Sequence, residues 1–389
     1  MRIAFFSDTY HPSVDGVVRS IDLFKAGLEA KGHEVRVFAP EGRGGFERRE
    51  GAHYAPSAVF PPYPQYRIPY RTGGLVDEAV GWKPDIVHSH AMLLMGFAAK
   101  EAAKRCRAPL VGTFHTLIPS AMHYLTGHEG LRLWGADMSW RYLTWFYGGF
   151  DQVIAPSLFM QAELSLHGIK SAVVASPVDV EEFKPGRVGP AVKKIFSDDG
   201  KKNAVLYLGR IAKEKNLDFL LDVAATRSFD ELKAPLLVAG DGPYKEEFAR
   251  KIAARGLAGK VRLLGRVDER WIAQHYRAAS AVILPSAFET QGLVALESMA
   301  CGTPVAALRG TALEEIVRPK VNGALFFDDP LEAAERLRQI IRNRKKLSEG
   351  AVRSARALDV AHQTQRLLQA YALVKKKEKR GGKKRQTGP

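Results

Sequence analysis

The alternation of short β-branched runs with helix-period segments, repeated in both halves of the chain, limits this sequence more than any other feature. In the first half the runs are RIAFF (2–6), EVRVF (34–38), DIVHS (85–89), PLVGTF (109–114), QVIAP (152–156) and AVVAS (172–176). Between them lie segments such as VVRSIDLFKAGLEAKG (17–32), where Ile21, Phe24 and Leu28 recur at helical spacing. The second half repeats the rhythm with NAVLYLG (203–209), PLLVAG (235–240), VRLLG (261–265), AVILP (281–285) and TPVAAL (303–308). Strands that alternate with helices predict parallel sheets covered on both faces, an α/β class built from doubly wound, Rossmann-like domains.

Two domains are expected, because 389 residues exceed one ordinary core. The stretch FKPGRVGPAVKKIFSDDGKKN (183–203) is rich in Pro, Gly and charge, which predicts a linker over 181–202. An N-terminal domain over 1–180 and a C-terminal domain over 203–358 would then face a cleft. Ligands of such sheets bind outside the carboxyl ends of the strands, so the loops that follow strands are the ones to read.

Hydrophobic content of 46% and charged content of 26% fit a soluble globular chain. The start MRIAFFSDTY reads as a buried strand and lacks the parts of a secretory signal. The apolar run AMLLMGFAA (91–99) is about half the length of a membrane span. Cys106 and Cys301 stand far apart, which argues against a disulfide framework or zinc site and for a reducing, cytoplasmic compartment. Net charge is +16, and residues 375–385 hold eight Lys/Arg against one Glu. Residues 375–389 therefore read as a basic, disordered tail, either inert or able to bind anionic lipid or nucleic acid. No helix-turn-helix, zinc or RNA-binding pattern supports nucleic acid, and a membrane surface is the more coherent partner if other features point to lipid.

After the first strand of the second half comes YLGRIAKEKN (207–216). Gly209 allows a tight backbone exit, and Arg210 and Lys215 bracket the loop. Two cations above a helix N-terminus suit a diphosphate, and a solvated basic turn has the same composition. VAGDGP (238–243) reads as a turn first and a ligand loop second. The Gly-rich dinucleotide fingerprint and the ATPase phosphate loop are both missing, which counts against a dehydrogenase or an ATPase.

AFETQGLVALESMACGTPVAA (287–307) places Glu289 in a loop before a helix expected from Gly292 to about Cys301 and stopped by Gly302 and Pro304. The amides at 292–294 can bind an anion, and the Glu289 carboxylate can accept from sugar hydroxyls. Glu297 lies among Leu293, Leu296 and Met299, and once buried it needs a donor, for which vicinal ribose hydroxyls are suited. In the first half, Gly16 in SDTYHPSVDGVVRSI (7–21) lets the backbone approach a ligand. His115 ends the strand PLVGTF, where a lone His is more often structural than catalytic; His123 and His128 are weaker candidates.

Together these pieces resemble the retaining nucleotide-sugar glycosyltransferases of family 4, which have the two-Rossmann GT-B fold. The matching residues are Tyr10, Pro12, Gly16 and Val17 of a YxPxxxGV loop, TFHT (113–116), GRxxxEKN (209–216) and GDGP (240–243). Glu289 and Glu297 with the trailing GTPV (302–305) complete the set, in family order over nearly the whole chain. The resemblance implies that Arg210 and Lys215 bind the donor diphosphate, with Gly16 and Gly209 close to it. Glu297 would hold the ribose, and Glu289 with the amides of Gly292, Leu293 and Val294 would meet the sugar and β-phosphate. The backbone near Arg266 and Val267 would meet the base.

His115 would lie beside the transferred sugar, which makes His115, Glu289, Arg210 and Lys215 the catalytic candidates. Tyr10, His11, Asp15 and His123 are the acceptor-side candidates. The resemblance implies no metal, no cofactor beyond the nucleotide-sugar co-substrate, and front-face transfer in which the leaving phosphate helps deprotonate the acceptor. Glu289 and Glu297 share one structural element and are poorly placed for glycosidase chemistry, where two carboxylates flank the bond. A helix at about 360–374 is expected to pack back onto the first domain. Asp15-Gly16 stands where the family commonly has two glycines, Ser176-Pro-Val-Asp179 where it has Asn-Gly-Val-Asp, and VAHQTQRLLQAY lacks the usual tryptophan.

The segments DTYHPSVDGVV, TFHT and ETQGLV look most like the branch that glycosylates diacylglycerol-type lipids. Residues 131–150 set Trp134, Trp140, Tyr142, Trp145, Phe146 and Tyr147 beside Arg132 and Arg141, which suits either a headgroup interface or a core helix pair. The expectation is hexose transfer from UDP-glucose, another UDP-hexose or GDP-mannose to a membrane lipid. It would take place at the inner face of the cell membrane, reached through the basic tail and the first domain. A soluble or polysaccharide acceptor and a non-catalytic nucleotide-sugar-binding protein are the alternatives; the oligomeric state is open.

Overall fold

The computed structural model describes residues 1–13, 15–42, 45–49, 51–60, 63–117, 129–197 and 203–386. The chain divides into two compact units, Met1–Pro177 with Val360–Pro389, and Val178–Asp359.

Among the described residues of unit 1, nine strands form one sheet. They are β1 (Arg2–Phe6), β2 (Glu34–Gly42), β3 (Glu47–Arg49), β4 (Ala52–Phe60), β5 (Tyr63–Pro69), β6 (Ile86–Ser89), β7 (Leu110–Thr113), β8 (Gln152–Ala155) and β9 (Ser171–Val173). Their order is β3-β4-β2-β1-β6-β7-β8-β9, with β5 paired to β4. Every pairing from β4 across to β9 is parallel, and β3 and β5 join β4 antiparallel. Along β1, Ile3 and Phe5 enter one apolar layer while Ala4 and Phe6 enter the other. An unbroken apolar run is what a strand covered on both faces requires. The strands between 47 and 69 lie outside the sequence expectation: AHYAPSAVF carries Ala, Pro and Ser, and pairing with β2, β3 and β5 supplies what propensity does not.

The helix Val360–Gln386 buries Leu367, Ala370, Tyr371 and Val374 in the same layer as Ile3 and Phe5. It meets the helix Gly16–Glu29 so closely that a Cβ on Gly27 would lie 2.1 Å from Thr364 Oγ1. The basic stretch from 375 continues this helix to Gln386, which differs from the expected disordered tail. Lys, Arg and Gln are good helix formers through which a helix already held by packing can propagate, against about 1 kcal/mol each for Gly381 and Gly382.

Unit 2 is built on β10 (Val205–Leu208), β11 (Leu236–Ala239), β12 (Val261–Gly265), β13 (Ala281–Leu284), β14 (Val305–Leu308) and β15 (Gly323–Phe326). All pairings are parallel, in the order β12-β11-β10-β13-β14-β15. The winding reverses between β10 and β13, so the crevice outside their carboxyl ends is the topological switch point of this sheet. The expected linker contains the helix Pro190–Ser197, whose Val192 and Phe196 are buried in the core of unit 2. These two residues fall one helical turn apart and form an apolar face that the surrounding Pro, Gly and Lys conceal in the composition. Among the described residues no helix is long and apolar enough to cross a membrane.

Candidate active site

The loop after β10 is bonded along its length to the loop after β11. Gly209 N–H donates to Ala239 O at 3.0 Å, Ile211 N–H to Asp241 O at 2.9 Å, and Tyr244 N–H to Ile211 O at 3.1 Å. The glycines of GDGP permit this approach: a Cβ on Gly240 would lie 1.8 Å from Gly209 O, and one on Gly242 2.3 Å from Ile211 O. From the other side, the Tyr207 hydroxyl donates to Arg210 O at 2.9 Å. Burial and the Glu289 charge raise the Tyr207 pKa, so the hydroxyl keeps its proton and remains a donor. Arg210 thus sits on a backbone fixed from both sides. Lys213–Lys215 form one 3-10 turn, and left-handed Asn216 leads into the helix Leu217–Ala225.

Lys215 reaches across the switch point. Its Nζ lies 2.7 Å from Glu289 Oε1, with the two side chains 24% and 19% exposed. Glu289 belongs to the loop after β13, so this ion pair joins the two loops that flank the crevice. Gly292 follows at φ 95°, left-handed, and opens the helix Leu293–Ala300 with no side-chain cap. The left-handed φ, with Leu313 Cδ2 2.3 Å from where a Cβ would stand, favours glycine at the turn that aims the first helical amides. Uncapped amides at a helix start are anion donors.

Glu297 is 7% exposed, and Tyr276 O–H donates to its Oε2 at 2.9 Å. The donor that a buried carboxylate needs is therefore supplied by the protein itself, from the helix Glu269–Ala278. Val267 is half-buried against the same apolar layer, between exposed Arg266 and Asp268, the N-cap of that helix. Among the described residues no group of three or more His, Cys, Asp or Glu converges as a cation site requires.

In unit 1, Tyr10 O–H donates to Asp22 Oδ1 at 2.7 Å, and His11 Nε2 lies 2.7 Å from Asp22 Oδ2. Both acceptor candidates therefore meet one carboxylate, beside a small polar cavity of about 240 Å³ that Lys25, Glu29 and Arg49 also line. Asp15 has a local structural role: it caps the helix Gly16–Glu29 by accepting from Val17 N–H and Val18 N–H at 2.8 and 2.9 Å. Gly16 is exposed at the first position of that helix. His123 and His128 lie outside the described residues.

His115 belongs to a row of three imidazoles. Its Nε2 lies 2.8 Å from His90 Nδ1, and His90 stacks in turn on His88 with ring centroids 4.2 Å apart. Burial holds His115 at a pKa of about 4 and His88 at about 3, and keeps His90 well below the ordinary range. Sequence alone marks DIVHS as a strand and does not single out His88, His90, Tyr207 or Tyr276. The available signal was HSH at the end of an otherwise apolar strand, where alternate residues share a face. Asp8 was also missed; it accepts from Met92, Leu93 and Met95 N–H at 2.9, 3.0 and 3.2 Å and ties the loops after β1 and β6 together.

Residues 14–182 match the family described as Glycosyltransferase Family 4, and residues 190–357 the family described as Glycosyl transferases group 1. An alpha-monoglucosyldiacylglycerol synthase of Streptococcus pneumoniae is 31% identical over 85% of this chain and 76% of the relative. A GDP-mannose-dependent alpha-mannosyltransferase of Corynebacterium glutamicum is 27% identical over 86% of this chain and 79% of the relative. The crystal structure of Anabaena HepE in complex with UDP and glucose matches 96% of this chain and 99% of its own at 21% identity and a TM-score of 0.69.

Proposed function

Because the chain belongs to glycosyltransferase family 4 and has its GT-B fold, we propose that it transfers a hexose from a UDP-hexose, with UDP-glucose favoured, to a diacylglycerol-type membrane lipid with retention at the anomeric carbon. The observation that carries this reading is the Lys215–Glu289 pair at the switch point of unit 2, beside the braced Arg210 loop and the uncapped helix start at Gly292. Cations and amides fixed before the reaction stabilise the charge that develops on a leaving diphosphate. As the bond from C1 to the phosphate oxygen breaks, the acceptor hydroxyl oxygen bonds to C1 on the same face. Its proton passes to the departing phosphate. Glu289 would hold sugar hydroxyls, and Glu297, steadied by Tyr276, would meet the ribose.

The acceptor reading rests on the helix Glu129–Tyr147. Leu131, Trp134, Met138 and Trp145 recur on one face and are exposed, both tryptophans at 64%. Leu143, Phe146 and Tyr147 of the same helix are buried. Of the aromatics expected to suit either a headgroup interface or a core, Phe146 and Tyr147 are buried and Trp134 and Trp145 are exposed. Phe97 packs against Trp145 at 5.9 Å, which continues the apolar patch to exposed Leu93 and Leu94, and Lys100 Nζ lies 5.3 Å from the Trp145 ring. Exposed indoles with a neighbouring cation suit a lipid headgroup layer. The 31% identical relative, a monoglucosyldiacylglycerol synthase, supports the same class.

A second reading keeps the chemistry and changes the donor to GDP-mannose, as in the name of the 27% identical relative. Equilibrium dialysis of the full chain against UDP-glucose and GDP-mannose, in chelator, separates the two. Tighter binding of UDP-glucose is expected; tighter binding of GDP-mannose favours the second reading, and binding of neither removes both.

A further inference from the structure

His90 is 4% exposed, and its two ring nitrogens have different surroundings. Nδ1 lies 2.8 Å from His115 Nε2, whereas Nε2 is buried with no hydrogen-bond partner. The ring is packed against His88 at 4.2 Å, His115 at 5.1 Å and the edge-to-face ring of Phe5 at 4.7 Å. Both His90 and His115 titrate far enough below neutrality to be uncharged at pH 7. A neutral imidazole has one N–H and one lone pair, so of two such rings sharing one contact, one donates and the other accepts.

The orphaned nitrogen decides which. A proton on His90 Nε2 would be a buried N–H with no acceptor, and such donors are rarer in folded proteins than unfilled lone pairs. A proton on Nδ1 instead faces His115 Nε2 at hydrogen-bond distance. We propose that His90 is a positioning residue for His115: its Nδ1–H donates to His115 Nε2, which fixes the proton of His115 on Nδ1.

His88 imposes no such choice. Its Nδ1 lies 2.6 Å from Tyr371 Oη and its Nε2 2.7 Å from Thr113 Oγ1, and hydroxyls serve as donor or acceptor alike. The consequence for His115 is chemical. With Nε2 accepting and Nδ1 protonated, it has no free lone pair with which to act as a general base. Whatever group meets its Nδ1–H must accept a hydrogen bond. That consequence rests on the assignment of His115 to the transferred sugar; the tautomer itself does not.

The test begins with the full chain labelled with 15N in its histidine rings, using long-range proton–nitrogen correlation at pH 7. Expected are a protonated Nδ1 and a bare Nε2 on both His90 and His115; a protonated His115 Nε2 overturns the proposal. The second arm compares His90→Asn, whose amide N–H stands near the place of Nδ1, with His90→Phe, which keeps a ring and removes the donor. His90→Phe should lose about tenfold in kcat with the donor KM little changed, and should show His115 in mixed tautomers. His90→Asn should recover most of the rate and the single tautomer. Equal losses in both variants, with the native His115 signals retained, would overturn the positioning role. Native protein that transfers no hexose at all would sink the glycosyltransfer reading and leave the spectrum to decide the tautomer.

Discussion

Lys215 Nζ and Glu289 Oε1 lie 2.7 Å apart, and the two residues come from the loops after β10 and β13, on opposite sides of the strand-order reversal. Under the proposed function each holds the other in place until a ligand competes for it: a diphosphate for the ammonium, sugar hydroxyls for the carboxylate. Lys215→Ala and Glu289→Ala should each abolish transfer, a loss of at least about 10²–10³ in kcat. Lys215→Ala should also weaken UDP binding, and Glu289→Ala should leave it nearly intact. Labelled-sugar transfer, UDP titration and circular dichroism check this together. Full activity in either well-folded variant would remove that residue from the site.

The GDGP loop sets the position of Arg210. In Gly242→Ala the new methyl would start 2.3 Å from Ile211 O, the carbonyl that accepts from Tyr244 N–H. The backbone must shift or strain by about 1–3 kcal/mol. Urea unfolding of the variant should show unit 2 destabilised, and UDP affinity should fall with it. A variant as stable as the native chain would mean that the two loops are not braced against each other.

Acid should loosen unit 1 before its carboxylates titrate. His88, His90 and His115 have folded pKa values below the unfolded value of 6.5, at about 3, well below it, and about 4. Their neutral forms therefore contribute stability that is complete above pH 6.5 and is lost as the pH falls from 6.5 towards 4. His33 and His53 are also lowered and act in the same direction, while Asp8, raised by burial, acts in the opposite one. Each histidine adds about 1.4 kcal/mol per pH unit to the slope. Urea midpoints followed by tryptophan fluorescence should drop between about pH 6 and pH 5, and His90→Asn should reduce the drop by one proton's worth. Flat midpoints over that range would show that the row is not buried neutral.

Trp134 and Trp145 are each 64% exposed and belong to none of the buried core clusters. Replacing both with Ala should leave the melting temperature unchanged and weaken binding to anionic vesicles about tenfold or more. Unchanged vesicle sedimentation would separate the exposed stripe from any membrane role.

Much of this was legible in the residues, and the parts that were not have physical causes. The strands that flank the switch point are continuous apolar runs, and the loops after them carry Arg210, Lys215 and Glu289 on glycines that fit one backbone path. Sequence order could not show that Lys215 touches Glu289, because the contact depends on strand order in the sheet. Tyr276 was hidden in a polar helix segment, since a tyrosine that satisfies a buried Glu297 looks like any other aromatic at helical spacing. His90 was hidden because its partner, His115, lies in the loop after the neighbouring strand. Strand β4 and the helix Pro190–Ser197 escaped because tertiary pairing and a single apolar face outweigh local composition.

The most direct measurement offers radiolabelled UDP-glucose, UDP-galactose and GDP-mannose to the full chain with vesicles containing diacylglycerol and monoglycosyldiacylglycerol, in chelator, and counts label in the organic extract. The expected result is an α-linked glycolipid formed from a UDP-hexose, absent in Glu289→Ala. Label that enters only soluble acceptors, or no lipid from any donor, would contradict the assignment of a membrane lipid as acceptor.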